Sequence, residues 1–162
     1  MLNDYGEVSV VNGQLVHCKG FKCAALPARD WSFPVSEVRL VGEFTTPGGP
    51  VFDYFYIFIV GEPPHMYMVP MEALESVGLE KFFADLKELL GSDIKHSLAS
   101  STKFASSIMW PSNRAGQPFL EFLRESRSGL FGRILDRVAP RTVFHVVDAI
   151  SSFCGGPVEW AA

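Results

Sequence analysis

Apolar and polar positions alternate with a short period through the first part of the chain. Glu7-Val8-Ser9-Val10-Val11 and Gln14-Leu15-Val16-His17-Cys18 flank Asn12-Gly13. Asn-Gly between two such runs predicts a hairpin, because a type I′ turn needs positive φ at both central residues. Phe21 to Leu26 fits a third strand, and Pro27 and Pro34 bracket a loop that carries Trp31. Ser36 to Thr45 (SEVRLVGEFT) alternates loosely and predicts another strand. Thr46-Pro47-Gly48-Gly49-Pro50 cannot hold a sheet ladder and is expected to be a loop. Phe52 to Val60 then predicts a strand with Asp53, Phe55, Ile57 and Ile59 on one face and Phe52, Tyr54, Tyr56 and Phe58 on the other. Both faces are apolar, which places this strand centrally with cover on each side. Gly61-Glu62-Pro63-Pro64 reads as a turn and His65 to Val69 as the returning strand.

After Pro70 the period lengthens. Leu79, Phe82, Phe83, Leu86, Leu89 and Leu90 recur at helical spacing against Glu80, Lys81, Asp85, Lys87 and Glu88, and Gly91 stands where a C-terminal cap belongs. Ser92 or Asp93 is placed to cap a short second helix, and Phe104 to Trp110 returns as a strand. Beyond it, 118–127, 130–138 and 142–154 each show helical spacing, separated by Gly129 and Pro140, and arginine supplies all the positive charge. The expected fold is α+β. A mostly antiparallel sheet domain over 1–113 is packed by helices, and an Arg-containing helical extension over 114–162 packs on it as one structural unit.

The 162 residues are the size of one domain. With 48% hydrophobic residues the chain can bury a substantial core. A net charge of −4 argues against a nucleic-acid partner, which requires a basic face to displace counterions. Met1 to Val10 lacks the basic and apolar regions of a signal peptide, and no apolar run approaches a spanning helix of about 20 residues. Cys18, Cys23 and Cys154 form no disulfide framework, so a reduced, cytoplasmic setting is expected.

Phe33-Pro34-Val35-Ser36-Glu37-Val38, then Thr45-Thr46, Gly49-Pro50 and an acid before an aromatic strand, form an ordered series. Gly61, Val69-Pro70, a helix ending Leu89-Leu90-Gly91 and a strand ending in Trp110 continue it. Over about residues 33–110 this series resembles a family of small bacterial α+β proteins to which no reaction is assigned. Val35 stands where that family usually shows tryptophan. At the level of fold alone, a strand-rich half closed by a helix is also similar to pleckstrin-homology-like domains.

Motifs for chemistry are sparse. Asp53, at the first turn of its strand, is expected to anchor the loop by accepting hydrogen bonds from the amides of Gly48 and Gly49. His17, Cys18 and Cys23 fall short of the four compactly spaced ligands that zinc takes, so no metal or cofactor is expected. Ser97, Ser100, Ser101, Ser106 and Ser107 sit in no Gly-x-Ser-x-Gly elbow, and His96 beside Ser97 is a neighbour pair rather than a triad. Two surfaces stand out for recognition. Trp31 and Phe33, with the 46–50 loop, suggest an aromatic rim. Leu130, Phe131, Arg133 and Arg137 suggest an amphipathic docking face. The sequence therefore points to a non-catalytic, accessory, regulatory or immunity-like module that binds another protein or itself. The alternatives are an enzyme with a site near 46–53 and a membrane-surface module using the Arg-containing segment.

Overall fold

A computed structural model describes residues 6–18, 30–48, 54–74, 78–125 and 141–160. The first hairpin forms as expected: β1 (Glu7–Val11) and β2 (Gln14–Cys18) pair antiparallel, with Asn12 at φ 51° and Gly13 at φ 76°. Residues 21–26, expected as a third strand, lie outside the described residues; the strand that pairs with β2, over Gln14 to His17, is β3 (Trp31–Pro34), where a loop is expected. A 3-10 turn at Val35–Glu37 then leads directly into β4 (Val38–Thr45) of a second sheet. Residues 31–45 thus run through both sheets, and Pro34 and the turn explain why the second begins at Val38 rather than Ser36.

The second sheet has five strands in the order β10-β6-β5-β4-β7, so β5 (Tyr54–Val60) is central. β6 (His65–Pro70) and β7 (Ala105–Trp110) flank β5 and β4, and all these pairs are antiparallel. Only the short β10 (Glu159–Trp160) runs parallel to its neighbour among the described strands. The face split expected for β5 holds. Tyr54, Tyr56 and Phe58 join one core cluster with Val41, Val69 and Met109, while Ile57 and Ile59 join another with Leu40, Phe44 and Ile108.

The first face is covered by α1 (Leu79–Leu90) and by the three-stranded sheet. Phe82 and Phe83 meet Phe58 and Tyr56 edge-on, and Phe33 meets Phe58. The helix ends at Gly91, whose φ of 69° lets its amide reach back to the Lys87 carbonyl at 2.9 Å. Residues 92–104 carry no helix; they form an irregular strap beside β7, in place of the short helix expected there.

The second face is covered by the C-terminal part of the chain, and here the expectation of helices is corrected. Residues 120–125 form β8 (Leu120–Glu125) and residues 141–146 form β9 (Arg141–Val146), an antiparallel pair. Only α2 (Asp148–Phe153) of the expected helix over 142–154 is helical. Leu120 and Phe122 turn inward and Glu121 and Leu123 outward, a two-residue period that a short apolar run satisfies as readily as a helical one. Val143 and Val146 are β-branched and stiff at χ1, which favours the strand. Residues 130–138 lie outside the described residues. Phe119, Leu120, Ile150 and Cys154 share one core cluster with Leu40, Ile57 and Ile108, which packs this part directly onto the sheet.

Two contacts fix that packing. Gly42 leaves a bare place on β4 into which Phe119 fits; a Cβ there would stand 2.5 Å from Phe119 Cζ. The Ser106 hydroxyl accepts the amides of Phe119 and Leu120 at 3.1 and 2.9 Å. Gly42→Ala is therefore expected to destabilise the fold by about 1–3 kcal/mol through overpacking. Phe119→Leu in the same chain should recover part of that loss, and urea unfolding of both single variants and the double variant measures the coupling.

Candidate functional site

β4 was expected to be a strand, but its register places a charged residue where no sequence motif marked one. Val41, Glu43 and Thr45 all point toward the helix-covered face, and Glu43 is fully buried there. Burying a carboxylate is costly unless its lone pairs are satisfied. Oε1 accepts the Ser97 amide at 2.6 Å, the Ser97 hydroxyl at 2.8 Å and the Leu98 amide at 3.1 Å. Oε2 accepts the Tyr54 hydroxyl and lies 3.9 Å from His96 Nδ1. The Ser97 and Ser107 hydroxyls are 2.6 Å apart. With the Ser97 proton committed to Glu43, Ser107 is the donor of that pair.

Burial governs the titration of the cluster. It pushes the Tyr54 phenol far above its ordinary range, and the hydrogen bond and charge of Glu43 add to the shift. The Tyr56 phenol is raised by burial first and by the charge of Glu43 second. Both phenols therefore remain protonated. His96 lies edge-on to Phe83 at 4.7 Å and to Tyr56 at 6.0 Å. Burial there holds its imidazole below the ordinary 6.5, and the Glu43 charge opposes the shift.

This arrangement fastens rather than reacts. A carboxylate offers about four acceptor sites, and Glu43 fills them with protein donors. In a serine triad the imidazole lies between hydroxyl and carboxylate. Here Ser97 donates straight to Glu43, so His96 takes no proton from it. Other bonds tie the same strap down: the Trp110 indole to Ser92 Oγ at 2.8 Å, and Thr45 Oγ1 to the Lys103 carbonyl at 2.9 Å.

The residues singled out from sequence fare differently. Phe33 is buried in the core and stacks on Trp31 at 5.3 Å and 8°. Trp31 is half-buried and also touches Tyr67, so the pair is a lid on the core rather than an exposed rim. Asp53 lies outside the described residues, as do Leu130, Phe131, Arg133 and Arg137. Cys23 lies outside them too, and the side chains of His17 and Cys18 are not described. Cys154 is buried, and burial raises its thiol to about 11 against the opposing charges of Arg39 and Arg114, which keeps it protonated. Among the described residues no cluster of His, Cys, Asp and Glu fits a metal, and no helix is long and apolar enough to cross a membrane.

The exposed apolar surface lies elsewhere. Rings of Phe104, Phe122, Phe144 and Trp160 form a row across the hairpin-covered face, with successive centroids 5.3, 6.3 and 5.3 Å apart. Its ends emerge from the protein, Phe104 at 40% and Trp160 at 46% exposure, while Phe122 and Phe144 are half-buried. Leu123 projects from the outer side of the same hairpin at 49%. No family model, characterised protein or solved structure matches this chain.

Two outcomes are expected for the carboxylate cluster. Glu43→Ala leaves two amides and a phenol unsatisfied and should cost about 3 kcal/mol or more, whereas Glu43→Gln, which keeps an acceptor, should cost about 1–2 kcal/mol. Equal midpoints for the two variants in urea would contradict this. The second concerns pH. Folded His96 binds a proton less readily than unfolded His96, so the unfolded state carries more bound protons in the window just below 6.5. Stability should therefore fall as pH drops through 6.5 toward the lowered value, and His96→Gln should flatten that slope.

Proposed function

We propose that this chain is a non-catalytic recognition module that binds another protein through the aromatic row and the outer side of the β8–β9 hairpin. One observation carries the reading: Phe104 and Trp160 are exposed at the two ends of a row joined by the half-buried rings of Phe122 and Phe144, and Leu123 is exposed on the outer side of the same hairpin. Single exposed apolar residues are ordinary, but a linked group of them marks a contact surface. Aromatic anchors with half-buried neighbours are the residue types that concentrate binding energy at protein interfaces.

The location also favours recognition. β10 closes one side of the five-stranded sheet with two residues, and Trp160 stands on it. Among the described residues no strand pairs with the far edge of β10, and such an edge beside an aromatic side chain suits an extended partner segment with apolar residues at alternate positions. The filled lone pairs of Glu43 and the protonated thiol of Cys154 give an enzyme reading no comparable support.

Photo-crosslinking in cells of the native host tests the proposal, with a benzophenone amino acid placed at Leu123 or Trp160, and at Lys81 on the exposed side of α1 as control. The expected result is a discrete adduct from the first two positions and none from the third. An adduct of twice the chain mass would identify a second copy as the partner. No discrete adduct from Leu123 and Trp160, or the same adducts from all three sites, would overturn the reading.

A further inference from the structure

β10 is held by little. It pairs with β6 at two positions only, Glu159 with His65 and Trp160 with Met66, and the Glu159 amide donates to the Pro64 carbonyl at 3.1 Å. The Trp160 ring meets Phe144 edge-on, with centroids 5.3 Å apart at 70°, yet stays 46% exposed, so the aromatic seat at this end of the row is half filled. The segment arrives from α2 through Gly155 and Gly156, whose φ values of 98° and 149° suit glycine. Between them and β10, Val158 packs against the second core cluster. Release of Glu159 and Trp160 therefore leaves Val158 and the core in place.

The edge under β10 continues beyond it. β6 runs from His65 to Pro70, and β5 occupies its other side along the whole length. Pro64 turns its carbonyl toward β10, and backbone alternation turns the amides and carbonyls of Met66 and Met68 the same way. Among the described residues none pairs with Met68 on that side. The Met66 and Met68 side chains lie on the hairpin face, Met66 buried and Met68 half-buried against the second cluster. β10 thus shows what this edge accepts: an extended segment, parallel to β6, with an aromatic side chain beside Met66 and against Phe144. We propose that Glu159 and Trp160 are the built-in occupant of a docking site, displaced by a partner strand that carries an aromatic residue and, two positions further on, an apolar one. The first seats against Phe144 and the second beside Met68, so the bound strand takes the place of β10 rather than adding to its far edge. The inference rests on the recognition reading above and names its partner and its regulation. An attached occupant competes at an effective concentration in the millimolar range, so entry requires a better fit than Glu159 and Trp160 give.

Amide-shift NMR titration of the full chain with the peptide N-acetyl-Val-Glu-Trp-Thr-Val-amide tests it, against the same peptide carrying alanine in place of tryptophan. Two variants open the site. Glu159→Pro removes the amide donated to the Pro64 carbonyl, and Trp160→Ala vacates the seat of the ring while keeping that amide. Saturable shifts are expected at Met66, Tyr67, Met68 and Phe144, with a Kd in the millimolar range or tighter for the opened chains. The parent chain should bind about tenfold more weakly, as a site open about a tenth of the time requires. Unchanged β4 and β5 shifts report that a variant is folded, and either folded variant suffices for the comparison. Three results would overturn the inference: no saturation in any chain, equal affinity of the parent and the opened chains, or equal binding of the alanine peptide. Any of these together with host-cell crosslinks from Leu123 and Trp160 would retain the recognition surface and remove this mode of docking.

Discussion

A carboxylate can be buried in an apolar layer only where the chain brings donors to it, and much of this fold is organised around that constraint at Glu43. β4 carries Glu43 inward between Val41 and Thr45, against the aromatic side of β5. Tyr54 supplies one donor from within the sheet, but the other three come from Ser97 and Leu98, in a segment with no regular structure of its own. The strap from 92 to 104 is therefore held at its middle by the need to satisfy one side chain and at its ends through Ser92 and Lys103, and it in turn covers the edge of the core beside α1. Ile94 and Leu98 of the strap pack partly buried against that core, so polar satisfaction and apolar burial reinforce each other.

The other face of the same strands solves a different problem. β4 alternates Leu40, Gly42 and Phe44 toward the hairpin, and the missing side chain at Gly42 is filled by Phe119 from the C-terminal part. Ser106 on β7 receives the amides that open β8, so the neighbouring strand anchors the backbone of the element whose ring fills the gap. With both faces covered, β5 is the buried centre of the described sheet, and among the exposed apolar side chains Phe104, Leu123 and Trp160 lie around the hairpin and β10 while Val11, Leu89 and Phe153 stand singly elsewhere. The proposed recognition surface lies at the margin of the second face, away from the tightly satisfied first one.

Among the described residues up to 110, the first hairpin, the central strand and α1 were legible because their signals are local, whereas the local signal at β3 is that of a loop and at 92–104 that of a short helix. Asn12-Gly13 dictates a turn, the Tyr/Phe/Ile alternation of 54–60 dictates a two-faced strand, and Gly91 ends a helix with clear amphipathic spacing. The C-terminal part was misread because runs such as 118–127 contain too few apolar positions to separate a period of 2 from one of 3.6, and the hairpin pairing that decides the matter is not local. The Thr-Val-Phe-His-Val-Val run at 142–147 held the missed signal in its β-branched residues. Glu43 was overlooked for a related reason. A glutamate between apolar neighbours looks solvent-facing unless the strand is known to be covered on both sides, and three of its four donors lie more than 50 positions away.

Native-state hydrogen exchange of the Ser97 and Leu98 amides tests the central role of Glu43 most directly. Both belong to an irregular segment, where amides ordinarily exchange through local opening. If the strap is fixed by the buried carboxylate, these two amides should be protected to a level approaching that of β4 and β5. They should also lose that protection in a folded Glu43→Gln chain well before the β5 amides do. Rapid exchange of both in the parent chain, like that of its exposed neighbours Ala99 and Ser100, would contradict the account.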